Sequence, residues 1–119
     1  MLNAQSLRAH CLNQKAAIEE FPFGPDARVF KVMGKMFALM PVDADPPSIS
    51  LKCDPLLAEA LRETYPAIQP AYHMNKKHWN MVSVDGTITD EEVRDLIDAS
   101  YDLVVSGLPR RDREALKNT

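Results

Sequence analysis

Glycine is scarce, at 4 of 119 residues. The four are dispersed, so no loop of the GxGxxG or GxxxxGK type is available to wrap a phosphate chain, and no GxSxG nucleophile elbow occurs. Cysteine is almost as rare: Cys11 and Cys53 lie far apart and belong to no CxxC or Cys/His cluster. They are expected to be two ordinary buried thiols of a reducing cytosol. The N-terminal residues lack the apolar core of a signal peptide, and no stretch approaches the ~18 apolar residues of a membrane span. A soluble, cytoplasmic protein without a membrane partner is the expectation. A basic excess is missing as well. Fourteen Lys and Arg stand against 17 Asp and Glu, with a net charge of −3 and a pI near 5.5. That excludes a histone-like charge balance, so any nucleic-acid contact must come from a local patch.

What is present suits one globular domain. Hydrophobic content of 45% and charged content of 26% are ordinary for a chain able to bury a core. The division expected is a single domain over residues 1–109 and a charged tail, frayed or mobile, over 110–119. A first helix is predicted from Asn3 to Glu20, with Leu7, Cys11, Gln14 and Ile18 on one face. Prolines at 22 and 25 with Gly24 end it. Residues 28–33 and 35–40 read as a β-hairpin across Met33-Gly34, with Val32 opposite Lys35 and Phe30 opposite Phe37. Phe30, Val32, Phe37 and Leu39 would then face the core. Residues 48–53 alternate as a half-buried strand, with Ile49, Leu51 and Cys53 inward. Asp54 and Pro55 open a short helix with a stripe of Leu57, Ala60 and Leu61. Residues 71–74 and 79–84 read as strands. Thr89 with Glu92 forms a capping box for a last amphipathic helix that ends at Gly107 and Pro109. The fold class is therefore α+β: an antiparallel sheet of about five strands with helices on one face, in the order α-β-β-β-α-β-β-α.

Between Tyr72 and Asn80 the chain packs His73, Asn75, Lys76, Lys77, His78 and the sole tryptophan, Trp79, with no acid among them. One reading is an anion-binding surface: Lys76 and Lys77 on phosphates, Asn75 and Asn80 as hydrogen-bonding groups, Trp79 as a stacking platform. Lys31, Lys35 and Lys52 would extend it if the outer sheet face is continuous with the run. The other reading is a lysine-rich turn, with Trp79 capping the core and the asparagines bonding local backbone. His73 and His78 rank second in either case. Their five-residue spacing puts them on opposite faces of a strand, and no acid or cysteine completes a metal site. Cys53, between Lys52 and Asp54 at a helix start, has the sequence context of an activated thiolate, but strand alternation favours a structural thiol. Seven acids from Asp85 to Asp102 face only Arg94, which gives the last helix a negative side.

Several segments together resemble the MmcQ/YjbR family: VFKV at Val29–Val32, GKMFA at Gly34–Ala38, LKCDP at Leu51–Pro55, YHMNKKHWN at Tyr72–Asn80, Asp85-Gly86, and ASYDLVV at Ala99–Val105. The likeness runs from about Leu7 to Pro109, and HMNKKHW is its most specific part. Met81 departs from it, where a small polar residue such as threonine is expected. The resemblance implies a frataxin-like (CyaY-like) fold and a DNA-binding role with a double-wing arrangement. Frataxin's acidic iron-binding ridge does not carry over, since the first predicted helix offers only Glu19 and Glu20. No cofactor, metal or catalytic residue is expected. The reading is a non-enzymatic DNA-binding protein acting through Lys76, Lys77, Trp79, Asn75, Asn80, Lys31, Lys35, Lys52, His73 and His78. The alternative is a protein- or small-ligand-binding module on the same face, using Met36, Met74, Met81 and Trp79.

Overall fold

The computed structural model describes residues 2–72 and 74–119. Helix α1 (Ala4–Leu12) opens on Asn3, whose side chain accepts from the Ser6 N–H. It buries Leu7 and Cys11 as expected, but it stops at Leu12 and does not reach Glu20. The chain turns through Ala16, which sits at φ +60°, and continues as strand β1 (Ala17–Glu20). Tyr101 holds this turn by donating its hydroxyl to the Lys15 carbonyl at 2.6 Å. Cross-strand pairing has overridden the helix propensity of the alanines. Ile18, assigned by helical spacing to the core, is instead exposed on the edge strand.

Strands β2 (Ala27–Val32) and β3 (Lys35–Pro41) form the expected hairpin, with Val32 opposite Lys35. Met33 and Gly34 both take positive φ, +50° and +81°, as a two-residue hairpin loop of the primed type requires. The register shifts between Phe30 and Lys31, so Phe30 pairs with Ala38 and not with Phe37. Phe37 is the extra residue of the bulge. The consequence is a changed face: Phe37, Ala38 and Met40 are buried, and Leu39, expected in the core, turns outward.

Strand β4 (Ser48–Lys52) is followed by α2 (Pro55–Thr64), with Asp54 accepting from the Leu56 and Leu57 N–H groups. The buried residue of α2 is Ala58, and Leu61 packs on the core, whereas Leu57 and Ala60 are exposed. Short strand β5 (Ile68–Pro70) lies upstream of the predicted 71–74. Of that stretch, Tyr72 lies in a turn, and His73 falls outside the described residues. Strand β6 (Trp79–Ser83) precedes α3 (Asp90–Ser106), capped by Thr89 on the Glu92 N–H. The tail expected to be frayed contains α4 (Arg110–Lys117), whose Leu116 joins the core.

The six strands form one antiparallel sheet in the order β1-β2-β3-β4-β6-β5. This is the α+β class expected, with one more strand and one more helix. Helix α3 packs on β2, β3 and β4, while α2 covers β5 and β6. One side of the sheet therefore belongs to the helices. Phe37 sits at its centre, with the Phe30 ring at 6.5 Å and Tyr101 edge-on at 5.4 Å.

Candidate binding surface around Trp79

Alternation along β6 decides which residues of the basic run can reach solvent. Trp79, Met81 and Ser83 are half-buried on the outer side, and Asn80 and Val82 point to the helix side. Asn80 is 3% exposed and bonded at both ends of its amide: its Oδ1 accepts from Arg62 Nε at 2.6 Å, and its Nδ2 donates to the Ala58 carbonyl at 3.3 Å. It locks α2 to the sheet. Its assignment as a contact residue is corrected on that ground, because an amide buried on the helix side and bonded at both ends is out of a ligand's reach.

The turn before β6 is held from within and from below. Asn75 accepts from the Lys77 N–H through its side chain at 2.9 Å and from the Trp79 N–H through its carbonyl at 2.9 Å. Ala71 N–H donates to the Trp79 carbonyl, closing the loop's neck. Arg62, from the last turn of α2, donates to the carbonyls of Lys76 and Trp79 as well as to Asn80. Sequence reading missed Arg62. The only available signal was a cation near a helix C-terminus, a position that ordinarily needs no further explanation.

This scaffold leaves Lys76 and Lys77 exposed. Lys76 Nζ lies 5.1 Å from the centroid of the Tyr72 ring, a cation–π contact. Lys52 pairs with Trp79 in register, so it borders the tryptophan on the neighbouring strand. The structure thus gathers Asn75, Lys76, Lys77, Trp79 and Lys52. Lys31 lies on the same sheet face but is ion-paired with Glu20 at 2.9 Å. Lys35 is exposed at the hairpin tip beside Gly34. His78 is half-buried, with its carbonyl accepting from the Cys53 N–H at 2.7 Å. His73 lies outside the described residues.

Beneath the turn, on the outer sheet face, runs a groove of about 610 Å³. Met36, Leu39, Ser50 and Met81 form its floor, and Trp79, Tyr72, Met74 and Phe23 its sides. None of its lining residues is acidic.

The remaining candidates resolve into structural roles. Cys53 is half-buried and not fully buried as alternation suggested. Burial pushes its thiol up, and neighbouring Asp54 adds to the effect, the opposite of thiolate activation. Cys11 is buried and pushed up to about 12 by desolvation. On α3, Asp98 is occupied by His10 Nε2 and Gln14 Nε2, both at 2.7 Å. Among the described residues, no three His, Cys, Asp or Glu side chains stand together as a metal site. Nor is any helix among them long and apolar enough to cross a membrane.

The YjbR family model matches residues 12–103. YbdF of Escherichia coli O157:H7 is 44% identical over 97 residues, covering 82% of this chain and 80% of its own length. YjbR of Escherichia coli K12 is 33% identical over 115 residues, 97% of this chain and 98% of that one. Among solved structures, Deinococcus radiodurans protein DR2400 superposes with a TM-score of 0.90 at 40% identity, covering 98% of this chain and 89% of that one. A Pseudomonas syringae protein gives 0.74 at 31% identity, covering 86% and 98%.

Proposed function

The chain belongs to the YjbR family, and we propose that it is a non-enzymatic, cytosolic DNA-binding protein whose phosphate contacts come from the turn before β6. The observation that carries the reading is the presentation of Lys76 and Lys77. Both are exposed, neither is in an ion pair among the described residues, and their backbone is fixed by Arg62 and Asn75. Backbone already ordered by these bonds need not be ordered again when the amines meet a phosphate, which favours binding. Lys52 extends the positive edge along the sheet, and Trp79 offers an aromatic surface beside it. The acidic side of α3 is on the opposite layer, so the field of the molecule steers a polyanion toward the outer sheet face.

The test is a salt titration of binding to duplex and single-stranded DNA. Replacing Lys76 and Lys77 by Ala together should flatten the dependence of log K on log salt by about two, the slope expected for two lost phosphate contacts. Lys31→Ala should leave the slope unchanged, because that amine is already paired with Glu20. Undetectable binding at low ionic strength, or an unchanged slope in the double variant, would rule the proposal out.

A further inference from the structure

The groove under the turn is not accounted for by phosphate contacts. Its floor lies on the side of the sheet opposite the helix layer and is built from Met36, Leu39 and Met81, flanked by Trp79 and Tyr72. A volume of about 610 Å³ falls within the range of small-molecule sites and is concave where a protein interface would be flat. Methionines suit such a site because their unbranched, polarisable side chains adapt to a ligand's shape.

The charge pattern narrows the occupant. No carboxylate lines the groove. Lys76 stands over Tyr72 at its rim, and Lys52 borders Trp79 on the next strand, with neither amine in an ion pair among the described residues. On the same sheet face Glu20 lies out on edge strand β1 and is neutralised by Lys31 at 2.9 Å. Apolar walls beside unpaired cations match a molecule with an apolar body and one acidic head.

We propose that the outer-face groove binds a small anionic amphiphile, its aromatic or aliphatic body on Met36, Leu39 and Met81 and its acid at Lys76. This goes beyond the DNA reading and does not depend on it. The groove is preorganised, since the Asn75 and Arg62 hydrogen bonds hold its roof whether or not a ligand is present.

The probe pair is 8-anilino-1-naphthalenesulfonate and its uncharged counterpart N-phenyl-1-naphthylamine, titrated into the full chain. Trp79, the only tryptophan, serves as an internal reporter of where the probe sits. Saturable binding of one sulfonate per chain, with quenching of Trp79 emission, is the expected result. Met81→Glu should weaken both probes by about tenfold or more, because it places a charge in the apolar floor. Met36→Glu repeats the test should Met81→Glu fail to melt cooperatively. Leu56→Glu, on exposed α2, should change neither. Lys76→Met should weaken the sulfonate several-fold and leave the amine within about twofold, the size of one partly screened charge contact. Non-saturable binding, or insensitivity to both groove variants, overturns the site. Equal loss of both probes in Lys76→Met overturns the acidic head. Dimers in sedimentation that dissociate on Met81→Glu would give the groove to a second copy of the chain and overturn the small ligand.

Discussion

On the helix side of the sheet, Phe30, Phe37, Ile49 and Val82 are at most 1% exposed, whereas Met36, Trp79 and Met81 of neighbouring or identical strands keep part of their surface on the outer side. The same strands supply both sets, alternating in and out, so composition alone does not separate them. The covered face relies mainly on Phe, Ile and Val, with Met40 beside them, to fill a fixed shape; the groove of the open face joins Leu39 to Met36, Met81, Trp79 and Tyr72, most of which tolerate partial exposure and adapt to a partner. One face is finished by the fold itself; on the other Val29 is covered, and the groove stays partly open.

That contrast is broken most directly by trimming one large side chain from each face. Phe37→Ala should cost about 3–5 kcal/mol, the range for a buried aromatic that leaves a cavity, while Met81→Ala should cost under about 1 kcal/mol. Urea denaturation with unchanged m-values is the measurement. If Met81→Ala proves as costly as Phe37→Ala, the outer face is core and the groove is closed in solution.

A smaller effect tests how the helix layer completes the sheet. Strands β3 and β4 pair at Ala38–Leu51 and Leu39–Ser50, and at the next rung stand Phe37, the bulge residue of β3, and Lys52. There the buried Ser100 of α3 steps in: its hydroxyl donates to the Phe37 carbonyl at 2.6 Å and accepts from the Lys52 N–H at 2.9 Å. Ser100→Ala should leave both backbone groups without their partner and cost about 1–3 kcal/mol. Hydrogen exchange at the Lys52 amide should accelerate with it. Unchanged exchange there would mean that the rung closes by itself and that the serine is incidental.

The two faces also explain which features were legible in the sequence. The hairpin loop, the Asp54 and Thr89 caps and the α3 stripe rest on local chemistry, and the structure contains all of them. The bulge at Phe37 depends on how β3 fits β2 and the helix layer together, so period-two reading placed Leu39 in the core. The end of α1 was hidden for the same reason: residues 13–20 carry acceptable helix formers, and the Tyr101 bond to Lys15 that helps reverse the chain comes from 86 residues away. At the candidate site, the acid-free run was visible as a pattern. What was not visible was that Asn80 belongs to α2 and Arg62 to the turn, since both facts follow from α2 docking on β6.

Neighbouring glutamates on β1 give the comparison its finest grain. Glu19 pairs across the sheet with Phe30, on the helix side, and Glu20 with Val29, on the outer side. The Glu19 side chain is 14% exposed and accepts from Arg8 at 2.6 and 3.0 Å and from Arg28 at 3.3 Å. The Arg8 hydrogen bond, with help from Arg28, holds its carboxyl below the usual range against the opposing pull of burial. A carboxylate with a depressed folded-state value contributes stability that is present above its unfolded value of about 4.3 and is lost as pH falls through the folded value. Glu19→Gln should therefore lower the melting temperature at neutral pH and flatten its decline below about pH 4. The Glu20 side chain, 44% exposed and paired with Lys31, belongs to a surface pair, for which a loss of about 0–1 kcal/mol is typical. Glu20→Gln should therefore cost less at neutral pH than Glu19→Gln, read as a smaller fall in melting temperature. If Glu19→Gln leaves the acid limb parallel to wild type, the helix side does not set the pH response, and the distinction between the faces ends at packing.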